Sequence, residues 1–220
     1  MTRSPRDLAP LIDHTLLRLD AAEDEVRRLC SEAREYGFAG ACVRETWIGL
    51  VGRLLQGSPV RPVAVVDFPL GEASTRERVE EARRVVEAGA AEVDLVIQLA
   101  PLRARDYRTV FRDLEAVVEA AQVPLKVIIE ASTLSQQEKV AACALAKAAG
   151  VAWVKTSTGF AKGGATAEDV ALMRAVVGQE IGVKASGGIR TAVDALRMVE
   201  AGATRIGASA SVAIVTTILD

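Results

Sequence analysis

Arginine supplies most of the positive charge in this 220-residue chain: of its 27 basic residues only Lys126, Lys139, Lys147, Lys155, Lys162 and Lys184 are lysine. Where arginine serves ordinary surface charge, a lysine inside an apolar run points to amine chemistry that a guanidinium cannot perform. Lys126 lies in Leu125-Lys126-Val127-Ile128-Ile129-Glu130, Lys155 follows Ala152-Trp153-Val154, and Lys184 follows Gly182-Val183. Two ammonium groups on adjacent strands repel. The repulsion lowers the pKa of at least one and leaves a neutral amine near pH 7, the species that adds to a carbonyl to form a Schiff base. Asp13 and Asp94 occupy similar settings, in Leu11-Ile12-Asp13 and Val93-Asp94-Leu95-Val96-Ile97. An isolated buried charge is costly, so these carboxylates and lysines are expected to face one another. Each taken singly also reads as part of a structural ion-pair network; the pair of lysines favours chemistry, because their repulsion weakens the fold while it activates an amine.

A second signal suits an anion. Ser186-Gly187-Gly188-Ile189-Arg190 follows the Lys184 run, and Gly207-Ala208-Ser209 precedes a final helix. Glycines there expose backbone N–H groups, and a helix N-terminus adds favourable partial charge, although glycine pairs also serve plain tight turns.

The elements that must hold these groups alternate along the whole chain. Strand-length apolar runs are expected at 8–13, 39–43, 61–68, 92–97, 125–130, 152–156, 182–185 and 204–207. Helix-period segments lie between them. Ser74-Thr75-Arg76-Glu77 and Ser135-Gln136-Gln137-Glu138 match capping boxes, Thr166 and Thr191 are further N-caps, and Val26, Leu29, Cys30 and Ala33 form an apolar stripe. Gly89, Gly150 and Gly202 each stand where a helix stops before the next strand. This pattern predicts an α/β fold, a (β/α)8 TIM barrel formed by one domain over residues 1–220. A doubly wound open sheet is the rival, but Leu11-Ile12-Asp13-His14-Thr15 lacks the glycines of a dinucleotide-binding turn. In a barrel, Asp13, Asp94, Lys155 and Lys184 are expected toward the carboxyl ends of their strands, and the two glycine turns fall after strands seven and eight, a common phosphate position. Alternation sends Lys126, Ile128 and Glu130 to one face of the fifth strand, and Asp94 and Val96 inward on the fourth.

Composition narrows the field. A net charge of −2 with interspersed charges gives no basic field for nucleic acid. Trp47 and Trp153 are expected in the core, since stacking platforms for nucleic acid carry interleaved basic residues. Residues 1–7 lack a signal core, and the uncharged stretch 206–219 is too short to span a bilayer, so no membrane association is expected. Three cysteines, Cys30, Cys42 and Cys143, widely spaced in apolar surroundings, suit reduced thiols and a cytoplasmic location. With His14 the only histidine, no His- or Cys-built metal centre is available; an oxygen-ligated Mg²⁺ stays open at this point. His14 itself, without a Ser or Cys partner, reads as structural, and Lys162 as an exposed loop residue within reach of a phosphate.

Six segments, Leu11-Ile12-Asp13-His14-Thr15, Phe68-Pro69-Leu70-Gly71, Glu92-Val93-Asp94, Lys126-Val127-Ile128-Ile129-Glu130, Val154-Lys155-Thr156-Ser157-Thr158-Gly159-Phe160 and Val183-Lys184-Ala185-Ser186-Gly187-Gly188-Ile189-Arg190-Thr191, resemble the deoxyribose-phosphate aldolases, in order from about residue 8 to 211. The resemblance implies a metal-independent class I aldolase that needs no cofactor. It interconverts 2-deoxy-D-ribose 5-phosphate with acetaldehyde and D-glyceraldehyde 3-phosphate in deoxynucleoside breakdown. It further implies that Lys155 forms the Schiff base, Lys184 lowers its pKa and Asp94 takes part in proton transfer. Gly159, Gly187, Gly188, Gly207 and Ser209 would hold the phosphate; Asp13, Cys42 and Thr158 would line the site, Asp13 orienting lysines or substrate hydroxyls and Cys42 mainly packing. Its partners would be the sugar phosphate and aldehydes, with assembly as a homodimer or homotetramer. Gln98-Leu99-Ala100-Pro101, Asp67 and Ala131 depart from the usual pattern, as does an end at Asp220 without the Tyr-terminated tail of some members. Asp67 reads alternatively as a capping or salt-bridged carboxylate. Two other functions compete: a Schiff-base aldolase or transaldolase-like enzyme with another donor, and a phosphate-binding barrel whose lysines only bind anions.

Overall fold

The computed structural model describes residues 4–217. The ends of the expected 1–220 domain and of the uncharged stretch 206–219 lie outside the described residues. Eight parallel strands close on themselves: β1 (Ile12–Leu16), β2 (Gly40–Val43), β3 (Arg61–Val66), β4 (Glu92–Val96), β5 (Leu125–Ile128), β6 (Trp153–Lys155), β7 (Gly182–Ser186) and β8 (Arg205–Ala208). Each pairs with its neighbours in sequence, and β8 returns to β1 with Gly207 beside Asp13. Helices α1 (Glu23–Tyr36), α2 (Glu45–Leu54), α3 (Thr75–Glu87), α4 (Leu99–Arg103), α5 (Tyr107–Ala121), α6 (Gln136–Ala148), α7 (Ala167–Val177), α8 (Ala192–Glu200) and α9 (Ser211–Thr216) occupy the crossovers and the end of the described chain.

Local sequence explains the helix starts. Ser74, Ser135, Thr166 and Thr191 each accept a hydrogen bond from the backbone N–H three residues on, and Glu77, Glu138 and Asp194 reach back to complete three boxes. The strands obey period-two alternation. Val93, Leu95, Ile97, Val127 and Ile129 point out into the apolar shell beneath the helices, while Asp94 and Lys126 point into the lumen. A smaller lumenal cluster of Leu17, Cys42, Val63 and Val65, with Phe68 against it, lines the β1–β3 side.

The first strand is displaced from its expected place at 8–13. Pro5–Leu11 forms a 3-10 turn that buries Leu8 and Ala9, and the strand begins at Ile12. Leu8 and Leu11 are apolar at a spacing that a turn of helix satisfies as well as a strand, and Pro5 at its start favours the turn.

Candidate active site

The register that closes the barrel sets Lys155 beside Lys184 on β6 and β7, and Asp94 beside Lys126 on β4 and β5. Asp94 lies at the centre: its Oδ2 accepts from Lys155 Nζ at 2.8 Å and Lys184 Nζ at 2.7 Å, and its Oδ1 from Lys126 Nζ at 2.9 Å. Lys184 also donates to Asp13 Oδ2 at 2.5 Å. A deeper layer continues the pairing, with Lys126 Nζ 2.5 Å from Glu92 Oε2, and Arg205 2.7 Å from Asp13 and 3.5 Å from Glu92. Trp153 closes this floor beneath the guanidinium of Arg205 and the ammonium of Lys126, whose centres lie 5.1 and 5.7 Å from its ring. Its indole fits because Gly182 has no side chain; a Cβ there would stand 1.9 Å from Trp153 Cδ1.

The charged groups lie deeper than expected. Only Lys155 ends its strand; Asp94 and Lys184 are the middle residues of β4 and β7, and Asp13 is the second of β1. Period-two alternation fixes which face a side chain takes, but the length of each strand fixes its depth, and the shift of β1 carries Asp13 down with it.

Electrostatics separate the two lysines. Burial holds the Lys155 amine below its ordinary value, and the Lys184 charge adds to this against the attraction of Asp94. Burial acts on Lys184 too, but Asp13 and Asp94 outweigh it and raise its pKa, so it keeps its proton. Burial pushes the Asp13 carboxyl up, yet Lys184, Lys126 and Arg205 bring it down to about 2. Asp94 is likewise held well below the usual carboxylate range, because Lys126, Lys155 and Lys184 overcome its desolvation. Of the two amines Lys155 is therefore the easier to deprotonate, and Lys184 is the one that keeps its proton.

Above the cluster a cleft of about 430 Å³ opens at the carboxyl ends of the strands, and Lys155, 3% exposed, reaches it. Thr158, Gly159, Gly187, Gly188, Gly207 and Ser209 line the same cleft, with Arg18, Phe160 and Arg190. Asp94, Lys184, Asp13 and Cys42 are fully buried and are not among the cleft-lining residues. Asp13 is occupied with Lys184 and Arg205; Cys42 packs in the lumenal apolar cluster, its thiol pushed up to about 11 by burial. Thr158 donates through Oγ1 to Glu130 Oε2 at 2.5 Å and accepts from Phe160 N–H at 3.1 Å, which shapes the loop after β6. Gly187 adopts φ +87° and its carbonyl accepts from Ala165 N–H, while a Cβ on it would press on Gly164 and Ser157.

Other singled-out residues find structural roles. His14 Nε2 lies 2.8 Å from Glu32 on the outer side of β1, and Lys162 is exposed. Asp67 accepts from the N–H groups of Glu72 and Ala73 and sits 3.2 Å from Arg78, the salt-bridged alternative. Gln98 donates to the carbonyl of Ala73, and Ala131 is buried at the start of a 3-10 turn. Trp153, expected in the apolar core, instead stands half-buried against two cations. Sequence reasoning missed Glu92 and Arg205; each stands two residues before a recognised lumenal position, Asp94 and Gly207, so the alternation already placed them inward. It also missed the rim stack in which Arg44 lies over Phe68 and Phe160, 5.4 and 5.8 Å from their centroids.

The family model described as DeoC/LacD family aldolase matches residues 8–215. The chain belongs to this family. Within the DeoC/LacD family, deoxyribose-phosphate aldolase of Halalkalibacterium halodurans is 53% identical over 213 residues, covering 96% of this chain and 95% of that protein. The same-named protein of Alkaliphilus oremlandii is 52% identical over 211 residues, 95% of each chain. A solved structure from Coccidioides immitis superposes with a TM-score of 0.94 at 46% identity, covering 97% of this chain and 86% of that one. Tetrameric deoxyribose phosphate aldolase from Aeropyrum pernix gives 0.90 at 36% identity, covering 96% and 91%.

Proposed function

We propose that this protein reversibly cleaves 2-deoxy-D-ribose 5-phosphate to acetaldehyde and D-glyceraldehyde 3-phosphate through a Schiff base on Lys155. The observation that carries the reading is the placement of Lys155: its buried amine, depressed in pKa, opens into the cleft while a second, charged lysine stands beside it.

In the synthetic direction the Lys155 amine adds to the carbonyl carbon of acetaldehyde, and the carbinolamine loses water to give an iminium. Loss of a proton from the adjacent carbon, relayed by water to Asp94, moves the C–H electron pair into the iminium and forms an enamine. The enamine carbon attacks the aldehyde of glyceraldehyde 3-phosphate, its oxygen takes up a proton, and hydrolysis of the new iminium frees Lys155. Cleavage is the reverse. Lys184, holding its proton beside Lys155, favours the neutral state of the Lys155 amine.

The phosphate would sit against the backbone N–H groups of Gly187, Gly188 and the 207–209 turn, with Gly159 and Ser209 beside them and exposed Arg190 as counter-charge. Asp13 would orient Lys184, and Thr158 would hold the loop that carries Gly159. Among the described residues no helix is long and apolar enough to cross a membrane, and all three cysteines are free and buried, which supports a reducing, cytoplasmic setting. The tetrameric structure of the Aeropyrum pernix neighbour supports self-association as a dimer or tetramer.

Purified protein mixed with 2-deoxyribose 5-phosphate should release acetaldehyde and glyceraldehyde 3-phosphate in equal amounts. Release from another sugar phosphate only, with no use of acetaldehyde as donor, would favour a different Schiff-base aldolase. Binding of the sugar phosphate without turnover would favour a non-enzymatic anion-binding barrel.

A further inference from the structure

The layer beneath the amine takes no direct part in this chemistry, yet it completes a charge count. The lumenal cluster contains three carboxylates, Asp13, Glu92 and Asp94, and three cations besides Lys155, namely Lys126, Lys184 and Arg205. All six are nine-tenths or more buried. The pairs join without a break: Lys155 to Asp94, Asp94 to Lys126 and Lys184, Lys126 to Glu92, Lys184 to Asp13, and Asp13 to Arg205. The six charges cancel, so a proton on Lys155 leaves the buried cluster with one uncompensated positive charge.

We propose that Lys126 and Glu92 are positioning residues that set the protonation state of Lys155 through this balance, Lys126 acting on the amine by way of Asp94 and Glu92 by way of Lys126 and Asp94, without touching substrate. The inference rests on Lys155 being the imine-forming amine. Every charged or titratable neighbour on the packed strands enters the count. Asp13 and Arg205 come from β1 and β8, Glu92 and Asp94 from β4, Lys126 from β5, and Lys184 from β7. Cys42 on β2 stays a neutral thiol. Arg61 on β3 reaches Glu92 at 3.3 Å, but its side chain is half exposed, so solvent screens it. Glu130, just after β5, is engaged by Thr158 and makes no ion pair with the cluster among the described residues. Low dielectric makes the count matter, because interactions that water would damp act across the full width of the barrel.

The test follows imine formation, read as the fraction of protein trapped by borohydride after brief exposure to acetaldehyde, from pH 5 to 9 in about unit steps. Lys126→Met removes one positive charge and should move the rising limb to higher pH by about one unit, an about tenfold loss of neutral amine below it. Glu92→Gln removes one negative charge and should move the limb to lower pH. The double variant restores the balance and should return the limb to the wild-type position, which a purely structural role for either residue would not produce. If Lys126→Met does not fold, Glu92→Gln against the double variant reads the same balance. A trapped wild-type adduct on Lys155 with limbs unmoved by the variants, or a double variant that fails to return, would overturn this inference alone. No wild-type adduct on Lys155 would overturn the catalytic reading beneath it as well.

Discussion

Lys155 and Lys184 share a single carboxylate oxygen: their amines lie 2.8 and 2.7 Å from Oδ2 of Asp94, on strands that pair residue against residue. The shared acceptor is what allows two lysines to stand side by side in a closed barrel. It also divides them unequally, because only Lys184 has a second carboxylate, Asp13, and so keeps its proton.

Lys184→Met should therefore do more than remove a neighbour. Asp94 and Asp13 lose a cation, Lys155 becomes the remaining partner of Asp94 Oδ2 and is protonated, and kcat falls by about 10²–10⁴-fold. The residual activity should rise toward higher pH than in the wild type. A pH–rate profile of the variant checks this; an unshifted profile would mean that Lys184 does not control Lys155.

The phosphate cradle can be separated from the amine. Gly187→Ala places a Cβ at φ +87°, 3.2 Å from Gly164 Cα and 3.3 Å from Ser157 Cβ, at a cost of about 1–2 kcal/mol. KM for 2-deoxyribose 5-phosphate should rise about tenfold or more, while trapping by acetaldehyde, which carries no phosphate, stays near wild type. Equal losses in both assays would place the effect in the fold rather than in phosphate binding.

Acid should weaken the barrel through its depressed carboxylates. Asp13 is near 2 against an ordinary value of 3.8, so its contribution to stability is present above about pH 4 and is lost as pH falls toward 2. Asp94 acts with the same sign. Asp67 and Asp113, pushed up mainly by burial, act with the opposite sign, so the informative comparison is with Asp13→Asn. Denaturant midpoints should drop more between pH 5 and pH 3 in the wild type than in the variant.

Outside the lumen, Arg78 is fully buried between Asp67 and Asp113 and donates to the carbonyl of Val96, tying the β3–α3 turn to the end of β4. Arg78→Met should cost about 3–5 kcal/mol in denaturant unfolding, since it strands buried carboxylates. Asp113→Asn, at a group already disposed to accept a proton, should cost less.

The sequence made much of this arrangement legible because period-two alternation is rigid. In Leu125–Glu130 it separated Lys126 from the aliphatic face, and in Glu92–Ile97 it turned Asp94 inward. Capping boxes at Ser74 and Ser135 fixed helix starts for an equally local reason. Depth in the barrel was not local. The stagger between strands decides that Asp13 meets Lys184, 171 residues away, and that Glu92 and Arg205 join the same cluster. The 3-10 turn over Pro5–Leu11 was hidden because the short apolar run Leu8-Ala9-Pro10-Leu11-Ile12 suits either element. The stack of Arg44 on Phe68 and Phe160 depends on three separate loops approaching at the rim, which no spacing along the chain records.

The most direct test of the central claim is borohydride reduction in the presence of acetaldehyde and, separately, 2-deoxyribose 5-phosphate, followed by intact mass and peptide mapping, with Lys155→Ala as the control. One adduct per chain is expected, located on Lys155 and absent from the folded control. An unmodified Lys155 in protein that still binds the sugar phosphate, or an adduct on Lys184 instead, would contradict it.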